Sequence, residues 1–178
     1  AAFFDYDKDG DLDCYLLNNT IRSIGIGIDL VRDLRLKGSD KGNKFLRNDD
    51  GAFIDVSDEV GIYTSEIGFG LGVTIGDLNL DGWQDMYISN DFFEKDYLYI
   101  NNKDKTFSEK STKFFKSMSL GSMGADSADL DNDLLTDLFV TEMLPKSLKR
   151  RKTKAVYDSW DKHQLAVSKG YYYQYPRN

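Results

Sequence analysis

The sequence predicts an all-β chain, a fragment of a β-propeller of about two and a half four-stranded blades with a helical insertion. Three observations predict it. A nine-residue aspartate loop recurs without gaps as Asp5–Asp13 (DYDKDGDLD), Asp77–Asp85 (DLNLDGWQD) and Asp129–Asp137 (DLDNDLLTD). A small or apolar segment precedes each loop, and a short apolar run follows it at Cys14–Leu17, Met86–Ser89 and Leu138–Thr141. Downstream, Asn43–Ser57 and Asp96–Ser111 match as a strand ending in Asn, a polar turn, and a strand opening on Phe53 or Phe107. Short alternating runs broken by Asn, Asp and Gly are the signature of antiparallel hairpins, and four-strand units repeated about a centre describe a propeller.

Each unit therefore holds strand A before the loop, strand B after it, then strands C and D. The first blade spans residues 1–57 with an insertion at 20–42, and the second spans residues 69–111. A partial third occupies residues 121–178, with an insertion at 144–172 and a resumption at Tyr173–Asn178, where Arg177-Asn178 lines up with Arg47-Asn48. All 178 residues read as one partial domain, and the start inside a strand reads as a piece of a longer protein. The remaining blades of that parent, or another chain, are the expected cover for its exposed strand edges. In an up-and-down blade the A–B and C–D turns share one face. The two insertions, both on B–C connections, are thus expected together on the other. A helix is expected over Lys146–Ala166, and a shorter helix or a hairpin over Ile21–Leu36.

Composition agrees. Phe and Tyr number 11 each against two Pro, which favours β-structure over a helical bundle. Cys14 is the sole cysteine, so no internal disulfide framework exists. No apolar run approaches the length of a bilayer span. The net charge of −7 conceals a segregation: the three loops carry 12 acidic residues, whereas the insertion at 144–172 carries eight basic against two acidic.

The loops read as calcium sites. Calcium takes six to eight oxygen ligands, and loops that bind it supply them from alternate positions around a Gly-assisted turn. The pattern here is D-x-D-x-D-G-x-x-D, closed by Asp at the ninth position, so that a strand can follow at once. By analogy the ligands are Asp5, Asp7, Asp9 and Asp13 with the carbonyl of Asp11 in the first loop. The second uses Asp77, Asn79, Asp81 and Asp85 with the carbonyl of Trp83, and the third Asp129, Asp131, Asp133 and Asp137 with the carbonyl of Leu135. Up to three calcium ions are expected. The third site is expected to be weakest or altered in geometry, because Leu134 stands where Gly10 and Gly82 stand and a positive φ there strains a side chain. Turn-capping aspartates alone would be the simpler reading, but so many carboxylates in one turn repel without a cation.

These loops, followed by a strand, an N-x-D-G-type turn and a Phe-led strand, resemble the FG-GAP or VCBS repeats, also found in the integrin α-subunit propeller. The segments GFGLGVTIGDLNLDGWQDMYISNDF, DYLYINN, FVTEMLP and YPRN resemble more closely the bacterial proteins that carry such repeats upstream of an ASPIC/UnbV domain. No ASPIC/UnbV segment lies among these residues, so nothing of it carries over. The resemblance implies a calcium-stabilised propeller in exported, periplasmic or cell-surface proteins, acting as an interaction scaffold for protein or glycan through the insertion face. A non-catalytic domain of a larger polysaccharide-processing or redox enzyme is the alternative.

No catalytic constellation stands out. There is no nucleophile elbow and no phosphate loop, and His163 has no second His and no nearby Cys to share a zinc ion. The carboxylate pairs of a glycosidase are present only where calcium would occupy them, so the chain reads as non-enzymatic. Lys149–Lys154 (KRRKTK) could bind an anion such as nucleic acid, a glycan or a lipid headgroup; a solvated helix start is the favoured reading. The tyrosines at 171–173 and 175 read as strand packing, Trp160 as the anchor of the inserted helix, and Trp83 as a shield over its loop.

Overall fold

The computed structural model describes residues 1–19, 35–91, 94–116, 118–119, 121–142 and 146–149. Among the described residues ten strands form three antiparallel sheets. The first sheet holds β1 (Ala2–Phe4), β2 (Asp13–Leu16), β3 (Lys44–Asp49) and β4 (Ala52–Asp55) in sequential order. The second repeats that order with β5 (Gly70–Gly76), β6 (Asp85–Asn90), β7 (Tyr97–Asn101) and β8 (Phe107–Glu109). A pair, β9 (Ser122–Ala128) and β10 (Asp137–Glu142), begins a third. The chain is thus mostly β, as expected for an all-β fragment of this kind. Most of the two insertions, the resumption at Tyr173–Asn178, the basic run from Arg150 to Lys154, Trp160 and His163 lie outside the described residues.

Registers repeat as closely as the sequences do. Phe3 pairs with Cys14, Cys14 with Leu46, and Leu46 with Asp55 across the first sheet. Ile75, Met86, Tyr99 and Glu109 occupy the same row of the second. In the first sheet, alternation sends Phe4, Tyr15 and Phe45 to the face opposite its row. There, with Tyr6, they meet Met86, Ile88, Tyr97, Tyr99 and Phe107 of the second unit in one buried cluster. Edge-to-face contacts lock it: Phe45 lies 5.9 Å from Phe4, 4.8 Å from Tyr6 and 6.5 Å from Tyr15 between ring centroids. Phe107 stacks at 5.9 Å on Tyr6 and lies 5.6 Å from Phe45.

The other face of the second sheet receives β9, and small residues allow the approach. A β-carbon on Gly72 would stand 3.2 Å from the Cα of Gly124, and one on Gly76 would stand 2.9 Å from Ser127 Oγ. The Thr74 hydroxyl donates to the Ala125 carbonyl at 2.7 Å.

Two features escaped the sequence reading. Each D strand runs into a one-turn helix, α1 (Ser57–Val60) after β4 and α2 (Ser111–Phe114) after β8. The signal was the acid-x-Ser pair: Asp55 Oδ1 accepts from the Ser57 N–H and hydroxyl, and Glu109 Oε1 accepts from the Ser111 N–H. The B–C junctions are also latched alike. Asn43 Oδ1 accepts from the Asn18 N–H while Asn18 Nδ2 donates to the Gly42 carbonyl. Asp96 Oδ1 accepts from the Asn90 N–H at 2.7 Å while Asn90 Nδ2 donates to the Lys95 carbonyl.

Asp96 also accepts from the hydroxyls of Tyr87 and Ser122, so it ties the second unit to β9. Burial nevertheless dominates and pushes its carboxyl up to about 6, with the charge of Glu142 adding to the rise. A folded-state value above the unfolded one means that the native state holds a proton the unfolded state has released between about pH 4 and pH 6. Stability from this group is therefore fully present at the acid end and falls as pH rises through that window. Urea denaturation should show Asp96→Asn gaining on the wild type by roughly 2 kcal/mol between pH 4 and pH 7; an unchanged difference would refute the assignment.

Candidate metal centres

All three loops fold on the same local frame. The carboxylate at the first position accepts from the N–H groups of the fifth and sixth. Asp5 holds Asp9 and Gly10, Asp77 holds Asp81 and Gly82, and Asp129 holds Asp133 and Leu134, at 2.7–3.2 Å. The fifth-position carboxylate caps the seventh N–H as Asp9 to Asp11, Asp81 to Trp83 and Asp133 to Leu135. Two residues per loop take positive φ: Lys8, Leu80 and Asn132 near 60°, then Gly10 at 99°, Gly82 at 84° and Leu134 at 69°. These are Asx-type turns, built by residues within seven positions of one another.

Leu134 thus adopts the conformation that glycine fills in the other copies, and its hydrogen-bond frame is unchanged. The side chain is 85% exposed and gains nothing from packing there. Leu134→Gly should therefore stabilise the loop by roughly 1 kcal/mol, the cost of a left-handed side-chain residue, read as a raised midpoint in urea denaturation.

The ninth aspartate leaves the local frame and enters the sheets. Asp13 and Asp85 are fully buried. One oxygen of each accepts from its own loop, from the N–H of Tyr6 or Leu78. The other accepts from strand C at 2.9 Å, from the N–H of Asn48 or Asn101. The asparagine side chains then return to the loops: Asn48 Nδ2 donates to the Leu12 carbonyl, and Asn101 Nδ2 donates to the Tyr6 carbonyl of the preceding unit. Burial raises Asp13 and pushes Asp85 up to about 6 against these donors, with the neighbouring loop carboxylates adding to the rise. Asp137 keeps the loop half of the arrangement, accepting from the Leu130 N–H.

The first and third loops bring together the first, third and ninth side chains. One carboxylate oxygen from each of Asp5, Asp7 and Asp13 lies within 4.8 Å of the others, and the same holds for Asp129, Asp131 and Asp137. In the first cluster the Asp7 side chain is fully buried, and its Oδ1 has no hydrogen-bond partner. Its Oδ2 accepts from Lys105 Nζ at 2.9 Å, a cation sent back from the turn between β7 and β8. The fifth-position aspartates, expected as ligands, accept the seventh N–H through Oδ1 alone, and Asp11 Oδ2 accepts from the Asp50 N–H.

In the middle loop Asn79 stands at the third position, donates to Asp81 Oδ2 and accepts from the Asp81 N–H. Lys103 Nζ lies 3.3 Å from the same Asp81 oxygen. Trp83 is half-buried and carries the Lys8 ammonium 4.3 Å above its ring, so it bridges the first two loops. Lys103 and Lys105 were not singled out from the sequence, because their partners lie 22 and 98 residues away.

Among the described residues no helix is long and apolar enough to cross a membrane. No curated protein matches the chain. Residues 77–140, from the first aspartate of the middle loop into β10, match the family model of the FG-GAP-like repeat, a non-catalytic unit of propeller-like interaction modules.

Proposed function

We propose that this chain is a calcium-binding segment of a β-propeller that serves as an interaction scaffold outside the cell, with calcium closing the A–B loops. The observation that carries the metal is Asp7 Oδ1, a buried carboxylate oxygen without a partner, set in a cluster with Asp5 and Asp13 whose oxygens lie within 4.8 Å. A buried, unpaired carboxylate oxygen is costly unless a cation satisfies it. An all-oxygen donor set of hard carboxylates suits calcium better than a soft metal. Asp5, Asp7 and Asp13 would hold one ion and Asp129, Asp131 and Asp137 another. The middle loop offers Asp77, Asn79, Asp81 and Asp85.

Calcium here acts as a fastener. Asp13 and Asp85 are shared between loop and strand C, so an ion held by the loop also braces strand C. Binding to the folded state alone stabilises by about 2.7 kcal/mol at a hundredfold excess over Kd. Extracellular sites of this kind work at roughly 10⁻⁴–10⁻³ M, where external calcium keeps them filled. Recognition of protein or glycan belongs in this reading to the B–C face, and the basic composition of the insertions at 20–42 and 144–172 supports it. The resemblance to the ASPIC/UnbV-associated proteins supports export.

Calorimetric titration of calcium into the chelator-treated chain tests the metal. Binding in the micromolar to millimolar range is expected, weakened at least tenfold by Asp7→Asn and accompanied by a rise in Tm. No heat and no Tm shift at millimolar calcium would sink the proposal.

A further inference from the structure

A lysine of the second unit reaches into the first metal centre. The turn between β7 and β8 is pinned at both ends: Asn101 Oδ1 accepts from the Lys103 N–H, and Asp104 Oδ1 accepts from the Thr106 N–H and hydroxyl. Lys103 and Lys105 both take positive φ in it, at 67° and 68°. Their ammonium groups reach different loops. Lys103 Nζ lies 3.3 Å from Asp81 in the loop of its own unit, whereas Lys105 Nζ crosses to the first unit and donates to Asp7 Oδ2 at 2.9 Å.

The first loop needs that cation. Its nine residues carry five aspartates and one lysine, and the ammonium of that lysine, Lys8, lies 4.3 Å above the Trp83 ring of the second loop. Carboxylates held this close disfavour one another's charge unless a cation lies among them. Asp9 and Asp49 also attract the Lys105 ammonium, and Arg47 opposes them. The ammonium satisfies Asp7 only by half, because that side chain is fully buried and its Oδ1 has no partner. A divalent ion held by the oxygens of Asp5, Asp7 and Asp13, which lie within 4.8 Å of one another, would draw on the same carboxylate. Two cations a few ångströms apart repel, so each weakens the hold of the other. The Lys105 side chain is 60% exposed, so its ammonium can return to water when an ion arrives.

On the calcium-binding reading of the first loop, on which this inference rests, we propose that Lys105 is a tethered counter-ion of that centre. It competes with calcium for Asp7, so it lowers the calcium affinity of the site while holding the calcium-free loop against the second unit. The ion and the neighbouring unit are alternative restraints on one loop, and the packing of the second unit on the first sets how much calcium the loop needs.

Calorimetric titration of calcium into the 178-residue chain, with melting curves in chelator and in saturating calcium, tests this on Lys105→Met and Lys105→Arg. Lys105→Met keeps the aliphatic stem and removes the charge. It should bind calcium roughly tenfold tighter at one site and melt below the wild type in chelator, with the gap closing in saturating calcium. Lys105→Arg should behave as the wild type. In an Asp7→Asn background Lys105→Met should leave calcium affinity unchanged, because the shared carboxylate is gone. Heat from the wild type, with an affinity that Lys105→Met leaves unchanged or weakens, overturns this inference and leaves calcium binding standing. A melting gap that calcium does not close overturns it as well, since Lys105 would then be a structural brace alone. No heat from either chain would remove the calcium reading and the competition together.

Discussion

Phe45→Ala should unfold this chain at a urea concentration far below the wild-type midpoint, with a loss of about 3–5 kcal/mol. Phe45 is fully buried in β3 and touches rings from both units: Phe4, Tyr6 and Tyr15 on its own side and Phe107 across the interface. Truncation removes the shared member of the cluster and leaves a cavity between two sheets that are tied at several other points, so the walls cannot close freely. Phe53→Ala, one hairpin away and half exposed, is the control and should cost less than about 1 kcal/mol. Equal losses for the two would show that the sheets do not depend on this interface.

The second large effect concerns charge. Arg35 Nε and a terminal guanidinium nitrogen grip both carboxylate oxygens of Glu94, and the Glu94 side chain is completely buried. Arg35→Ala leaves that carboxylate without its bidentate partner and should cost about 3–5 kcal/mol at pH 7. Burial already raises the Glu94 carboxyl above its ordinary value, with Arg35 the largest opposing influence. Without the arginine the value climbs further, and the group protonates at a higher pH. The penalty should therefore shrink on going from pH 7 to pH 5, where the buried charge is lost. Arg35→Met with Glu94→Leu should recover most of the stability, because an apolar pair of similar volume needs no compensation. Chemical denaturation of the three variants at both pH values decides it. A pH-independent penalty would mean that Arg35 acts through packing alone.

The ion pair fixes Arg35, the first described residue of the insertion at 20–42, onto the second unit beside Lys95, whose ammonium bonds Glu109 and Ser111. Burial lowers Lys95, and its main opposing influence is Glu109. One charged pair, Arg35–Glu94, thus joins the units at the B–C side and Lys95–Glu109 braces the second unit there, whereas aspartates and asparagines join loop to strand C at the A–B side.

What the sequence determined by itself is local. The loop frame closes within nine residues because each carboxylate reaches backbone N–H groups two to seven positions away, and the short apolar runs that follow the loops mark β2, β6 and β10. Even the demand for positive φ at the sixth position was legible, since Gly10 and Gly82 expose the oddity of Leu134. Repetition supplied the topology, because three copies of one pattern must fold alike.

Only the tertiary structure decided which rows are covered, that Asp13 and Asp85 are pinned by asparagines from strand C, and that Lys105 crosses 98 residues to reach Asp7. It also separated Phe53 from Phe107, which the repeat treats as equals. The reason is physical: hydrogen bonds inside a loop depend on chain geometry that the sequence encodes directly. Burial and the partner of a charge depend on the neighbour that the fold brings to that face.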